Sequence, residues 1–377
     1  MSISKVKIPA GKSASYEIKI GSGLLASAGK WARRCLGEDA ARICVVSNPT
    51  VFALYGAVVV KSLKAAGFKT TTFLIGDGEI YKDLRTVESC LSAFTDDRIG
   101  RTDAIIALGG GVVGDVTGFA AAVHLRGIRF LQIPTTLLAM VDSSVGGKTG
   151  VNAAAGKNLI GAFNQPSGVL IDMDALATLP ERELNAGLFE MVKHAALKGS
   201  SLLRRTGKFL DREREERANF RSELSNLISE NIEFKAWIVA GDERESSGKR
   251  NAKSRKILNL GHTLAHALEK VTDYSELRHG EAVGYGLLFA AELSKSLALL
   301  DEKSVKLLND VVHRVGPLPA LRNIDIQEVL EAFRFDKKQV SSSLQFVLLK
   351  GIGKPVIVDG SEIPLATIRK ALRAVLR

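Results

Sequence analysis

The sequence predicts an α/β fold with a mainly parallel sheet over residues 1–178, followed by a mostly α-helical domain over residues 179–377. The chain has 377 residues, which is long for a single hydrophobic core and favours two domains. In the first half, short apolar runs alternate with helical stretches, as in sheets that are covered by helices on both faces. In the second half, long segments with helical periodicity predominate.

The elements of the first half follow from their apolar runs. Strands are predicted at residues 42–47, 71–75, 103–108, 130–133 and 169–172. Helices are predicted at residues 51–67 and 84–97. Residues 15–20 alternate between polar and apolar side chains, which predicts an added edge strand or a hairpin.

The elements of the second half are mainly helices. They are predicted at residues 181–198, 221–240, 257–272, 281–298 and 302–315. One strand is predicted at residues 344–349. The two halves meet near residues 172–183 without a low-complexity linker, and domains joined in this way commonly form a cleft between them.

Composition and charge argue against several classes of protein. No window of eighteen apolar residues occurs, so we expect no membrane span, and the first residues lack the apolar run of a signal peptide. Cys35, Cys44 and Cys90 show no disulfide or metal-ligand spacing, which predicts a reducing, cytoplasmic location. The net charge is +11, but the densest charged stretch, residues 204–223, mixes both signs as solvated helices do. We therefore expect no nucleic-acid partner and infer that the charge favours an anionic small substrate.

A glycine-rich turn follows the strand predicted at residues 103–108 and opens a helix. Gly109, Gly111 and Gly114 have the spacing GxGxxG, in which glycine lets the backbone approach a phosphate at a helix N-terminus. The acidic residue expected about 20 positions later, at the end of the next strand, is absent, because residues 132–136 (QIPTT) stand there. The turn is predicted to bind the phosphates of a dinucleotide, although the sequence lacks the full motif of an ordinary dinucleotide-binding fold. The alternative is a tight turn that binds no ligand.

A second polar stretch, residues 134–158, lies next to strands that the pattern predicts to be buried. Its Gly, Ser, Thr, Asn and Lys residues need polar partners there, which an anionic polyol would supply. Lys148 and Lys157 can neutralise a phosphate or a carboxylate. Residues 146–149 resemble the end of a Walker A loop, but Asp142 replaces its first glycine. The alternative is a structured glycine-rich loop without a ligand.

Three of the six histidines lie close together in sequence, at His262, His266 and His279. His262 and His266 share one face of a predicted helix, and His279 is expected to begin the next helix. Imidazole is a favoured zinc ligand, and a catalytic zinc usually takes three protein ligands and keeps one position open. Glu190, which lies in an apolar helix beside Lys193, completes such a set. The alternatives are a plain Glu190–Lys193 salt bridge and histidines that only cap helices or satisfy buried polar groups.

Two further groups are candidates for binding an anion. Arg255 lies four residues before Asn259 and seven before His262, so we expect these three on one helical face. Residues 336–338 include two lysines and are expected in a loop after a helix. The alternative for either group is a plain surface position.

Seven fragments in order resemble the 3-dehydroquinate synthase family of sugar-phosphate cyclases. They are LGGGVVGDVTGFAAA, RGIRFLQIPTTLLAMVDSSVGGKTGVN, GKNLIGAF, AGLFEMVKHA, DERE, RKILNLGHTLAHALE and HGEAVGYGL. The resemblance implies an N-terminal dinucleotide-binding α/β domain, a C-terminal helical metal-binding domain and a homodimer. It also implies the conversion of 3-deoxy-D-arabino-heptulosonate 7-phosphate to 3-dehydroquinate and phosphate, a step of the shikimate pathway. The implied cofactors are NAD⁺, which transiently oxidises the substrate before phosphate elimination, reduction and aldol cyclisation, and Zn²⁺ or Co²⁺.

The resemblance also assigns roles to individual residues. The metal ligands are Glu190, His262 and His279, and the residues that match catalytic positions are His266, Lys193 and Asp142. Arg126 matches an arginine that reaches the partner subunit's site. The other substrate contacts are Lys148, Asn158, Lys235, Arg255, Asn259 and one or both of Lys337 and Lys338. The NAD⁺ contacts are Asn48, Glu79, Lys82, Gly110, Gly111, Val112, Asp115, Thr135, Thr136, Lys157, Thr178 and Glu183.

The chain departs from the family pattern at two places. Ala265 stands where the family usually has glycine, and residues 246–254 form a longer basic segment that we expect to bulge at the surface. This insertion leaves open whether Arg250 or Arg255 contacts the substrate, and the spacing to Asn259 favours Arg255. Two alternative functions are a polyol dehydrogenase of the same superfamily and, more remotely, a basic nucleic-acid-binding protein without catalysis.

Overall fold

The computed structural model describes residues 4–8, 15–211, 217–246, 248–321, 324–339 and 344–376. The chain divides into two compact units, Met1–Leu179 and Pro180–Arg377, which we call unit 1 and unit 2.

Unit 1 contains a seven-stranded sheet and a separate hairpin. Its strands are β1 (Ser4–Ile8), β2 (Tyr16–Gly21), β3 (Arg42–Ser47), β4 (Lys69–Leu74), β5 (Ala104–Gly109), β6 (Arg129–Pro134), β7 (Lys148–Ala153), β8 (Gly156–Phe163) and β9 (Val169–Asp172). The sheet has the order β1-β2-β9-β6-β5-β3-β4. β1 pairs antiparallel with β2, and the other neighbouring strands of the sheet run parallel. The predicted mainly parallel sheet is therefore confirmed.

Helices cover both faces of this sheet. They are α1 (Ala28–Leu36), α2 (Pro49–Val51), α3 (Ala57–Ala65), α4 (Leu84–Asp96) and α5 (Gly111–Val123). Ile43 and Val45 of β3 join a buried cluster with α1 and α3, whereas Cys44 and Val46 join another with α4 and α5. Successive side chains of a strand point to opposite faces, so a strand buried on both faces is apolar at nearly every position.

The polar stretch after β6 folds into the β7–β8 hairpin, which the sequence did not predict. Gly150 and Gly161 are paired across it, and a Cβ atom on Gly150 would overlap the carbonyl oxygen of Ile160. Val151 is buried in the cluster that includes α4 and α5. Glycine is therefore required where the two backbones approach closely.

Unit 2 is mostly helical, as predicted. Its helices are α6 (Glu181–Lys198), α7 (Ser200–Leu210), α8 (Arg217–Gly241), α9 (His262–Val271), α10 (His279–Ser296), α11 (Glu302–Val315), α12 (Ile326–Gln339) and α13 (Leu365–Val375). Strands β10 (Gln345–Leu349) and β11 (Pro355–Asp359) form an antiparallel pair. Over the residues listed above, the helices lack the combination of length and apolar character that crossing a membrane would require.

Two local predictions in unit 2 were wrong. The helix predicted at residues 257–272 is divided into a 3₁₀ turn, Arg255–Asn259, and α9. Gly261 separates them with a left-handed backbone (φ +81°), which redirects the chain. Arg255, Asn259 and His262 therefore do not share one helical face. Residues 336–338 lie within α12 and not in a loop after it.

Candidate functional site

Two close helix crossings in unit 2 set the first residues of α9 and α10 beside α6. A Cβ atom on Gly280, near the start of α10, would overlap the carbonyl oxygen of Ala186 in α6. A Cβ atom on Gly286 would overlap the carbonyl oxygen of Gly261, immediately before α9. Both crossings therefore depend on the absence of a side chain.

Glu190, His262 and His279 converge where these helices meet. Their ligand atoms all lie within 4.8 Å of one another. Glu190 Oε1 is 3.7 Å from His262 Nε2 and 3.6 Å from His279 Nε2. Tetrahedral ligands that are each about 2.0–2.1 Å from Zn²⁺ lie ~3.4 Å apart. The spacing and the donor set therefore fit a small divalent cation with little adjustment.

Each of the two imidazoles is held on its other side by a second oxygen. His262 Nδ1 lies 3.3 Å from the backbone carbonyl oxygen of Leu260. His279 Nδ1 lies 3.4 Å from Glu269 Oε1. An imidazole that donates its Nδ1–H keeps the lone pair of Nε2 for a metal. Both histidines thus present the same nitrogen to Glu190.

The pKa values of the two histidines move in opposite directions. Burial, together with the Lys193 ammonium group, lowers the pKa of His262 well below its usual value. Burial also acts to lower the pKa of His279, but the Glu269 and Glu190 carboxylates outweigh it and raise that pKa to about 10. His262 is therefore a ready neutral ligand, whereas His279 must release a proton before its Nε2 can coordinate a cation.

Lys193 lies beside these ligands. Its Nζ is 2.5 Å from Glu190 Oε2, and both side chains are buried. The salt bridge and the histidine cluster were alternatives in the sequence, but they coexist because they use different oxygens of Glu190. The ring centroid of His266 lies 5.4 Å from that of His262, and Lys235 is buried on α8.

The basic insertion, residues 246–254, is held at both ends by Asp242. The buried Asp242 carboxylate accepts hydrogen bonds from the backbone N–H groups of Ser246 and Arg255, each at 2.9 Å. Burial acts to raise the pKa of Asp242, but these hydrogen bonds outweigh it and hold the pKa below its usual value. The insertion is therefore anchored to the end of α8.

Arg250 and Arg255, the two alternatives for the substrate contact, differ in their surroundings. Arg250 is half-exposed and forms an ion pair with Asp359 at 2.7 Å. Arg255 is 3% exposed, and its guanidinium donates to the backbone carbonyl oxygen of Glu243 at 2.7 Å. Asn259 is exposed. Of the two arginines, Arg255 is thus the one built into the interior of unit 2.

The remaining candidates in unit 2 are a carboxylate and two lysines. Glu183, in the first turn of α6, forms an ion pair with Arg278 at 2.7 Å. The side chains of Lys337 and Lys338 lie outside the described residues.

In unit 1, the glycine-rich turn joins β5 to α5 next to the end of β6. Gly110 immediately precedes α5, and the backbone N–H of Thr135 donates to the carbonyl oxygen of Gly109 at 3.0 Å. A Cβ atom on Gly110 would lie 3.1 Å from Thr136 Cγ2. Free N–H groups at this helix N-terminus favour an anion. The candidate residues at this turn are Gly110, Gly111, Val112, Thr135 and Thr136.

A polar network links the start of α5 to the β7–β8 hairpin. Lys82 Nζ is 2.6 Å from Asp115 Oδ2 and 2.6 Å from Asn158 Oδ1. The Asn152 amide donates to Glu79 Oε1 at 2.9 Å, and its oxygen accepts from the Asn158 backbone N–H at 3.0 Å. Asn158, matched to the substrate by resemblance, thus contacts Lys82, which was matched to the nucleotide.

Asn152 was missed among the candidate site residues. It connects Glu79 to the hairpin, and Lys157 Nζ also lies 3.9 Å from Glu79 Oε1. The sequence did contain a signal for this role: Asn152 has an amide side chain, lies in a glycine-rich run and follows Val151, which is fully buried. Polar groups at buried positions need hydrogen-bonding partners.

Two candidates of unit 1 already have local hydrogen-bonding partners. Asn48 caps α2, because its Oδ1 accepts from the backbone N–H of Val51 at 2.9 Å. The Thr178 hydroxyl is hydrogen-bonded to the hydroxyl of Tyr55. Both contacts are consistent with roles in local structure.

Three other candidates of unit 1 lie on turns or at a strand end. Asp142 is half-buried in a short π-helical turn, and Lys148 is exposed at the first position of β7. Arg126 is exposed and has a left-handed backbone (φ +69°). Non-glycine residues adopt this conformation at a cost of about 1–2 kcal/mol, so the surrounding turn must enforce it.

Sequence models of one family match most of the chain. The model described as "3-dehydroquinate synthase N-terminal" matches residues 72–186, and the one described as "3-dehydroquinate synthase C-terminal" matches residues 187–339. A 3-dehydroquinate synthase from Synechococcus sp. is 41% identical to this chain over 364 residues, which cover 96% of each protein.

Two solved structures have a similar fold. One is 2-epi-5-epi-valiolone synthase from Streptomyces hygroscopicus with NAD⁺ and Zn²⁺ bound, at a TM-score of 0.82 and 27% identity, with 98% of each chain covered. The other is 2-deoxy-scyllo-inosose synthase complexed with carbaglucose-6-phosphate, NAD⁺ and Co²⁺, at a TM-score of 0.82 and 24% identity. The match covers 99% of this chain and 100% of that one.

Proposed function

This chain belongs to the 3-dehydroquinate synthase family, and from that premise we propose that it converts 3-deoxy-D-arabino-heptulosonate 7-phosphate to 3-dehydroquinate and phosphate. It would act as a carbon–oxygen lyase that eliminates phosphate and closes a ring. The observation that carries the proposal is the convergence of Glu190, His262 and His279 at distances that suit a metal. When bound, NAD⁺ supplies a reversible hydride acceptor and the divalent cation, Zn²⁺ or Co²⁺, polarises the hydroxyl that is oxidised.

The metal centre would be held by one carboxylate and two neutral imidazoles. Glu190 is fully buried, and a buried carboxylate is stabilised by a cation. Lys193 lies against the second oxygen of Glu190, where it can hold a proton next to the ligands. His266 lies one turn after His262 on α9 and would exchange a proton with a substrate that reaches the cluster.

The substrate carries a phosphate and a carboxylate, and cationic side chains would bind and orient them. Lys235 and Arg255 are buried in unit 2, where charge-assisted hydrogen bonds are stronger than in water. Lys148 and Arg126 are exposed in unit 1. We assign these four residues, together with Asp142, Asn158, Asn259, Lys337 and Lys338, to the substrate.

The nucleotide contacts are proposed on unit 1. The glycine turn offers backbone N–H groups at the start of α5 for the phosphates. Lys82, Asp115 and Glu79 would exchange part of their mutual hydrogen bonds for hydrogen bonds to NAD⁺. Lys157, Asn48, Thr178 and Glu183 complete the proposed set.

We further propose a homodimer, as the family pattern at Arg126 implies, and a cytoplasmic location. The location is supported by Cys35, Cys44 and Cys90, which are free thiols. Burial raises the pKa of Cys35 to about 11 and that of both other thiols to about 12.

One assay tests the catalytic proposal. The purified protein is incubated with the heptulosonate phosphate, NAD⁺ and Zn²⁺, and both phosphate and NADH are measured. Stoichiometric phosphate release without net NADH supports the cyclase. Steady NADH accumulation from a simple polyol, without phosphate release from the sugar phosphate, would overturn it in favour of a polyol dehydrogenase.

A further inference from the structure

The second partners of the two ligand histidines differ in charge. His262 Nδ1 faces a neutral backbone carbonyl, that of Leu260. His279 Nδ1 faces the Glu269 carboxylate at 3.4 Å. We infer that Glu269 is a positioning residue that orients His279 and strengthens it as a metal ligand. This inference rests on the metal centre in the proposed function.

The burial of Glu269 shows that the contact is built into the fold. Glu269 is 2% exposed, and a buried carboxylate is strongly unfavourable unless a hydrogen bond or an opposite charge offsets it. One partner of its side chain is the imidazole of His279, at 3.4 Å. A carboxylate in this position fixes the tautomer of the ring and increases the electron density at Nε2.

Glu269 also organises the turn between α9 and α10. His262 begins α9 and Glu269 lies about two turns later on the same helix. The backbone carbonyl oxygen of Glu269 accepts from the N–H of Tyr274 at 2.7 Å. One residue therefore holds both the turn that leads to α10 and the side chain of His279, which begins α10.

Two substitutions distinguish the effect of the Glu269 charge from the effect of its shape. Glu269→Gln keeps an acceptor oxygen and removes the charge, whereas Glu269→Ala removes both. Metal-stripped protein is titrated with Zn²⁺ in competition with a chromophoric chelator. We expect about tenfold weaker Zn²⁺ binding for Glu269→Gln and about hundredfold weaker binding for Glu269→Ala.

Glu281→Gln is the matched control. Glu281 is also buried, but its carboxylate pairs with Arg182 at 2.6 Å and caps the first turn of α10. This variant is expected to keep wild-type Zn²⁺ affinity, because the substitution leaves the contact between Glu269 and His279 in place. A loss equal to that of Glu269→Gln would show that any charge removed near α10 disturbs the centre, and it would overturn the inference.

A second measurement separates positioning from general stability. The visible absorption bands of the Co²⁺-loaded protein report the strength and geometry of the ligands. They should shift in Glu269→Gln and stay fixed in Glu281→Gln. Wild-type Zn²⁺ affinity and unshifted bands in Glu269→Gln would overturn the inference and leave the proposed function intact. Wild-type protein that binds neither metal would instead overturn the proposed function. If Glu269→Ala does not fold, the Gln variant alone carries the test.

Discussion

The candidate sites of the two units are organised differently. In unit 2, Glu190 Oε1 lies 3.6–3.7 Å from the Nε2 atoms of His262 and His279, so three electron-pair donors face one point. In unit 1, Lys82 and Asp115 are already bonded to each other at 2.6 Å. The side chains of unit 2 thus already have the spacing of a metal site, whereas the proposed nucleotide contacts of unit 1 would have to exchange internal hydrogen bonds for those of a ligand. Such an exchange costs affinity, so we expect larger losses from substitutions in the metal cluster than in the network of unit 1.

Removal of a metal ligand should have the largest effect. Glu190→Ala or His279→Ala is expected to lower the rate of phosphate release at least about thousandfold, because a bound cation contributes several kcal/mol to the transition state. Elemental analysis should show reduced metal content in both variants. His313→Ala removes an exposed histidine of α11 and should leave both quantities unchanged. Full metal occupancy in the two ligand variants would show that the ligand assignment is wrong.

Lys148→Ala tests whether the start of β7 serves the substrate or the nucleotide. A charge-assisted hydrogen bond contributes about 1.5–3 kcal/mol, so KM for the sugar phosphate should rise roughly 10- to 100-fold. The Kd for NAD⁺, measured by titration calorimetry, should stay within about twofold on the same argument. Lys64→Ala, at an exposed lysine of α3, is the control. The reverse pattern would move Lys148 to the cofactor.

Asn152→Ala tests the network of unit 1. The substitution removes hydrogen bonds to Glu79 and to the Asn158 backbone. The NAD⁺ affinity should fall up to about 30-fold, because each of the two bonds contributes roughly 1 kcal/mol. Asn164→Ala removes a comparable side-chain hydrogen bond, to the carbonyl oxygen of Gly118, and should preserve NAD⁺ affinity. Equal losses in the two variants would indicate general loosening of unit 1. Metal content should be unchanged in both.

Asp242→Asn should affect stability more than activity. The free energy of unfolding should fall by roughly 1 kcal/mol at pH 7, because two hydrogen bonds lose their charged acceptor. The folded-state pKa of Asp242 is depressed, so its stabilisation is present above the usual value of 3.8 and is lost as pH falls further. Urea denaturation at pH 7 and near pH 3 should therefore show a difference from wild type that becomes smaller in acid. A difference of the same size at both pH values would contradict this account.

Much of the fold could be predicted because its signals are local. Strand β3 is apolar at nearly every position since both of its faces are buried, and its predicted bounds match those observed. Helices α6 and α11 also match the predicted bounds. The break before His279 indicated the start of a second helix there, which the structure contains.

The features that were not predicted depend on contacts between distant residues. The β7–β8 hairpin has no clear alternation, because Gly150 and Gly161 replace side chains where its strands meet. The separation of Arg255 from α9 depends on Gly261, which approaches Gly286 in another helix. Glu269 has the sequence context of an ordinary helical carboxylate, and only the packing of α9 against α10 reveals its partner.

The Asp242 carboxylate accepts hydrogen bonds at both ends of the basic insertion, residues 246–254. This makes the insertion a suitable place to modify the protein. One carboxylate fixes the backbone on both sides of residues 247–254, so the tip can grow while its ends stay in register. The entropy cost of closing a loop rises only slowly with length. A short epitope or a dye-labelled peptide inserted at this tip would give an attachment point for imaging or immobilisation.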